Sequence, residues 1–146
     1  MERIAYKAGY KYQLAEDYVV SIGIKPDHPI KTGYIGLTVD GVLVIKEGYA
    51  WDGPSGPTID TLNFMRGSLV HDALYQLMRE RHLNRVKYRE AVDRLLQKML
   101  REDRMSALRA WWVYHGVRLG GGPSADPAHN KVVIRAPKKC QTGGKR

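Results

Sequence analysis

Cysteine is almost absent from the chain: Cys140 stands alone, inside a Lys/Gly-rich end. No disulfide can form within the chain, and a thiolate zinc cluster is excluded. Long apolar runs are missing too, with nothing near the roughly 18 residues that a membrane-crossing helix needs. The start, Met1-Glu2-Arg3-Ile4-Ala5-Tyr6, has no apolar signal-peptide core, so the expectation is a soluble product without an export signal. His28, His82, His115 and His129 include no His-x3-His pair, which removes the usual zinc spacing. Gly120-Gly121-Gly122 follows a helical pattern instead of preceding one, so a phosphate loop is excluded by order. There is no internal repeat. Ser55 lacks a strand-to-helix elbow and Ser68 lies inside a helical pattern, so neither reads as a nucleophile.

Acid is also scarce, with 15 Asp and Glu against 24 Lys and Arg and a net charge of +9. Such an excess favours acidic or phosphate-rich partners. The cations run through Arg79, Arg81, Arg85, Lys87, Arg89, Arg94, Lys98, Arg101 and Arg104, without the repeated aromatic interleaving of a single-strand binding face, Tyr88 alone standing among them. A solvated helical face is therefore favoured over a nucleic-acid interface. A second group, Lys131, Arg135, Lys138, Lys139, Lys145 and Arg146, forms a basic arm suited to acidic surfaces or neighbouring proteins.

What is present suffices for one α+β domain: 146 residues, 43% of them hydrophobic. The expected body spans 1–122, β-rich over 1–47, a Gly/Pro loop over 48–62 and helical over 63–120, with the arm at 123–146. Lys11 to Leu14 and Tyr18 to Ile24 are aromatic and β-branched, as strands are. Tyr34 to Val39 and Val42 to Ile45 flank Asp40-Gly41, which predicts a hairpin on a two-residue turn and a small antiparallel sheet. Gly48 to Pro57 holds three Gly and two Pro and reads as a shaped loop.

Three helices follow, near 63–82, 86–101 and 106–119, and the short link around Asn84 makes the first two antiparallel neighbours. The third carries Trp111, Trp112, Tyr114 and His115. Core packing by one tryptophan is expected over membrane docking.

The chemistry-bearing cluster is His71-Asp72-Ala73-Leu74-Tyr75, with Asp93 on the next helix. At about 100° per residue, His71 and Tyr75 share the flank of the first helix, Asp72 points away, and Asp93 borders the buried face of the second. A carboxylate holding one imidazole nitrogen leaves the other free to take a proton from water. Asp72, with Asp52, Ser55 and carbonyls of the 48–57 loop, offers oxygens to a hard cation. The alternatives are a self-satisfied polar clamp for the His-Asp pair and an Asx turn or N-cap for Asp52 and Ser55.

The run Trp51-Asp52-Gly53-Pro54-Ser55, then His71 to Tyr75, Ala91-Val92-Asp93 and Tyr114 to Gly120, resembles a family of small phage and prophage proteins of unknown function over residues 15–120. That resemblance implies phage origin, expression in a host bacterial cytoplasm and incorporation in the virion, with no established activity. The His-Asp helix with Tyr one turn on also resembles the phospholipase A2 superfamily. It implies His71 as general base, Asp93 orienting it with Tyr75, and Asp72 with the 48–57 loop holding calcium. The chain departs from that superfamily in having Ala73 and Leu74 where cysteine is usual, and Pro in the loop.

Two functional classes are expected. One is a phage accessory protein, virion- or lysis-associated, with a metal-assisted hydrolase site for lipid or cell-envelope substrates. The other is a non-catalytic virion component of tail, baseplate or connector, whose arm binds other phage proteins.

Overall fold

A computed structural model describes residue 4 and residues 6–7, 12–52 and 62–126. Among the described residues seven strands precede four helices, which is the α+β arrangement expected from the sequence. β1 (Tyr6–Lys7), β2 (Tyr12–Leu14) and β7 (Ala50–Trp51) form a three-stranded sheet in the order β1-β2-β7. β3 (Tyr18–Ser21), β4 (Ile30–Lys31), β5 (Ile35–Leu37) and β6 (Val42–Ile45) form a four-stranded sheet in the order β3-β6-β5-β4. All the pairings are antiparallel. Strand alternation sends Ile35, Leu37, Leu43 and Ile45 into the core.

Three local expectations are corrected. Thr38 accepts from Gly41 N and its own N donates to Val42 O, so the hairpin loop is Val39-Asp40-Gly41, three residues long. Gly41 sits at φ +85°, the left-handed residue that closes such a loop, and β5 therefore ends at Leu37. Tyr18 to Ile24 is strand only as far as Ser21, because Gly23 turns the chain at φ +71°; Ile22 and Ile24 are nevertheless buried. The 48–57 segment begins as sheet. Gly48, at φ +90°, donates to Leu14 O, and Ala50–Trp51 then pair with Gln13 and Tyr12. An aromatic pair, Tyr12 and Trp51 with ring centroids 5.6 Å apart, holds this register.

α1 (Leu62–Arg79) is the central element, with thirteen of its eighteen residues buried. Met65, Leu69, Val70, Leu74, Leu77 and Met78 share one core cluster with the buried strand residues. The helix approaches α2 (Arg85–Glu102) so closely at Gly67 that a Cβ there would lie 3.0 Å from Leu96 Cδ1 and 3.2 Å from Leu100 Cδ2. Asn84 caps α2 by accepting from Lys87 N at 3.0 Å, and Ser106 caps α3 (Ala107–Gly120) by accepting from Arg109 N at 3.2 Å. Phe64, Leu96, Leu100, Met105 and Ala110 form a second core where α1, α2 and α3 converge.

The chain continues past the Gly triplet into a single turn, α4 (Gly122–Ala125), whose Ala125 is fully buried. No helix among the described residues is long and apolar enough to cross a membrane.

α1 and α2 end alike. Arg81 N donates to Met78 O and His82 N to Leu77 O; Arg104 N donates to Arg101 O and Met105 N to Leu100 O. These are Schellman closures, normally built on glycine, yet Arg81 stands at φ 64° and Arg104 at φ 69°.

Candidate functional site

A helix buried on two sides must satisfy every polar group it carries, because an unpaired buried dipole or charge costs kilocalories. α1 carries Arg66, Ser68 and His71 into the interior, and each is met. Arg66 forks onto Asp103 at 3.0 and 3.1 Å, reaches Glu102 Oε2 at 3.1 Å, and donates to the Tyr18 hydroxyl at 3.2 Å. This network ties α1 to the end of α2 and to the sheet. Ser68 accepts from the Trp51 indole at 3.2 Å and donates to Met65 O at 2.9 Å, a structural use that leaves it no role as a nucleophile.

His71 faces α2, as helical projection requires. Its Nε2 lies 2.8 Å from Asp93 Oδ1, and the Tyr75 hydroxyl donates to the same oxygen at 2.5 Å. The His71 and Tyr75 rings are 4.1 Å apart, since both rise from one flank of α1 a turn apart. The other carboxylate oxygen, Oδ2, accepts from Arg118 Nη1 on α3 at 3.0 Å, with Arg89 Nε 3.9 Å away. Arg89 also donates to the Tyr75 hydroxyl at 3.3 Å and to the carbonyls of Val117 and Arg118 at 3.0 and 2.8 Å. Asp93 has no solvent exposure, so all its hydration has been exchanged for these groups.

Burial alone pushes the Asp93 carboxyl up, but His71, Tyr75 and Arg118 outweigh it and hold the carboxyl below the usual range. Tyr75 is driven up by burial and by the Asp93 charge, which keeps it a proton donor. Burial pulls His71 downward, and the carboxylates of Asp72 and Asp93 overcome that, so its net shift is upward.

The second His71 nitrogen is arranged differently. With Nε2–H directed at Asp93, neutral His71 carries its lone pair on Nδ1. Nδ1 lies 4.0 Å from Asp72 Oδ1, outside hydrogen-bond reach. The Asp72 charge helps to raise the Tyr49 hydroxyl, after burial, and the Asp52 charge in turn acts on Asp72. Although 36% of the Asp72 side chain reaches solvent, the protein packed around it raises its carboxyl; His71 opposes that shift and Asp52 adds to it.

The expected catalytic residues His71, Asp93 and Tyr75 are thus brought together, and of the expected cation ligands Asp72 lies within electrostatic range of Asp52. Ser55 and the loop carbonyls of 53–57 lie outside the described residues, as do Lys131, Arg135, Lys138, Lys139, Lys145 and Arg146. Among the described residues, no three His, Cys, Asp or Glu side chains gather as a metal site. Two described clefts, of about 360 and 710 Å³, are lined around Arg66 and around Pro26 to Lys31 respectively, and neither includes His71.

Two arginines of the Asp93 network are not among the site residues expected from the sequence. Arg89 is removed from the expected solvated cationic face, because its i,i+4 spacing from Asp93 turns it inward. Arg118 lies on a helix whose contact with Asp93 is set only by tertiary packing. For Arg66 a signal existed: a lone cation in the apolar run Phe64-Met65-Arg66-Gly67-Ser68-Leu69-Val70.

Comparison with known proteins gives one family match, over residues 32–117, to a family described as "Protein of unknown function (DUF1353)". It covers more than half of the chain and includes Asp52, His71, Asp72, Tyr75 and Asp93. No curated protein and no solved structure matches the chain.

Proposed function

The chain belongs to the DUF1353 family, and we propose that it is a hydrolase in which His71 is the general base. The observation that carries this reading is the asymmetry of the imidazole. Nε2 is fastened to a carboxylate that is itself fully buried and held by Tyr75 and Arg118, while among the described residues Nδ1 makes no hydrogen bond and its ion-pair neighbour is the Asp72 carboxylate 4.0 Å away, which meets solvent. That is the orienter-plus-base geometry of water activation.

In the proposed reaction His71 Nδ1 takes a proton from water and the resulting hydroxide oxygen bonds to the electrophilic carbon or phosphorus of an ester. The bond to the leaving oxygen then breaks, and that oxygen receives the proton from His71. Asp93 stabilises the imidazolium and fixes its tautomer. Tyr75 and Arg118 position Asp93.

Asp72 and Asp52 are the described residues that would hold calcium: burial raises the Asp72 carboxyl, the Asp52 charge adds to that shift, and a cation would oppose both. Hard cations take six to eight oxygens, so two carboxylates need help from the loop. When bound, calcium supplies polarisation of the scissile carbonyl or phosphoryl group. The substrate class is lipid or cell-envelope ester. Phage origin, with action in a host bacterial cytoplasm or from the virion, is part of the same proposal and rests on the resemblance in motif order.

A calcium-dependent lipid-hydrolysis assay of the wild type against His71→Ala tests it. Hydrolysis that His71→Ala abolishes supports the reading, and no difference above background removes it. One observation favours a second reading. The Asp93 network joins α1, α2 and α3 through Tyr75, Arg89 and Arg118, as a purely structural clamp in a virion subunit would. An inactive wild type that loses assembly with other phage proteins on His71→Ala substitution is the signature of that alternative.

A further inference from the structure

α3 is apolar on two faces, and among the described residues only one of them is packed. Ala110, Val113 and Val117 pack inward against the second core. On the opposite side Leu108 is 68% exposed, Trp111 46%, Trp112 65% and Leu119 90%. At about 100° per residue these four and His115 fall within an arc of roughly 100°, one continuous outward stripe. The tryptophans lie edge to face with centroids 5.5 Å apart, and Trp111 lies 4.1 Å from the His115 ring. This corrects the expectation that one of the tryptophans packs in the core. The core side of α3 is taken by Ala110, Val113 and Val117, which the helical phase turns away from both indoles.

We infer that this face is an interfacial docking surface for an anionic lipid bilayer. Adjacent tryptophans with leucines, on a helix lying along the surface, are the composition that settles at the headgroup boundary, where an indole is apolar in body and polar at its N–H. Charge selects the occupant. Between Asp103 and Asp126 there is no acidic residue; Arg118 is engaged by Asp93, but Arg104 and Arg109 lie on or beside the helix, and the whole chain carries +9. A second copy docking through the same face would set these arginines against their equivalents under that net charge; an anionic headgroup layer pairs with them. The inference stands apart from the hydrolase reading, since it needs only the exposed stripe and the local charge.

The test uses the full chain with extruded vesicles of phosphatidylcholine alone or mixed with phosphatidylglycerol, read by co-sedimentation and tryptophan emission. Trp51 is already buried, so a blue shift reports Trp111 and Trp112. Expected are partition onto the mixed vesicles with a blue shift, weakening with salt, and a partition coefficient lower by about ten-fold or more in the double variant Trp111→Ser, Trp112→Ser. Both positions are exposed, and an unchanged melting curve confirms that the variant folds. The inference is overturned by no partition, by partition that the double variant retains in full, or by a wild-type dimer in sedimentation equilibrium that the double variant dissociates.

Discussion

Asp93→Asn tests the whole network by changing one atom and no shape. The carboxylate is fully buried and accepts from His71 Nε2 at 2.8 Å, from the Tyr75 hydroxyl at 2.5 Å and from Arg118 at 3.0 Å. An asparagine keeps one oxygen for His71 and Tyr75 but turns an NH₂ toward Arg118, so one charge-assisted bond is replaced by donor facing donor. The two remaining bonds fall to neutral strength. Hydrogen bonds to a charged group contribute about 1.5–3 kcal/mol each, and breaking a buried charge pair costs about 3–5 kcal/mol. Arg118 keeps 31% of its side-chain exposure and recovers some hydration. The expected loss is therefore about 3 kcal/mol, or about 10 °C in Tm for a chain of this size.

Urea denaturation followed by far-UV circular dichroism at pH 7 measures it. The pH dependence supplies a sign. Asp93 is depressed below its ordinary 3.8, so its contribution is fully present above that value and vanishes as pH falls through the folded pKa. The wild-type and variant stabilities must converge there. A loss under about 1 kcal/mol at pH 7, or a gap that stays constant into strong acid, refutes the argument.

Three further outcomes follow from the same structure. His71 is raised above 6.5, so its contribution to stability is complete below that value and is lost as pH rises through the folded pKa, whereas general-base hydrolysis grows across the same window. Opposite slopes of stability and rate above pH 6.5 are the expected pattern; parallel slopes contradict it. Gly67→Val should destabilise by about 2 kcal/mol because Leu96 and Leu100 occupy the space of its side chain, while Gly116→Ala, with nothing within 4 Å, should stabilise by about 0.5–1 kcal/mol. Chemical denaturation of both variants checks the pair. Arg81→Gly and Arg104→Gly should each gain about 0.5–1 kcal/mol in the same measurement, since glycine accepts the left-handed closure without a Cβ penalty. Destabilisation by either would mean that its arginine side chain compensates for the strain.

Periodicity and end signals were enough to read the helices. Asn84 and Ser106 mark the starts of α2 and α3, and the predicted bounds of all three long helices fall within a few residues of those observed. Projection about the axis likewise paired His71 with Asp93 and turned Asp72 away, because a helix's geometry is fixed by its own backbone. The sheet was less legible. Strand pairing is a long-range choice, so nothing local announced that Ala50–Trp51 would pair with β2 instead of remaining loop, or that two sheets would form in place of one. The hairpin differed by one residue because Asp-Gly serves both a two-residue turn and a three-residue loop closed by Gly41.

The sequence by itself determined an α+β order, a basic chain with a single thiol, membership of a pattern that includes His71, Asp72 and Asp93, and the helical faces on which they stand. Only the tertiary structure decided who completes the site and what α3 presents. Arg118 reaches Asp93 from a third helix, and the tryptophans face outward because Ala110, Val113 and Val117 take the core side of α3. The physical reason is range. Backbone geometry and capping act over a few residues, whereas burial and charge pairing depend on which elements meet, and that is settled only when the whole chain packs.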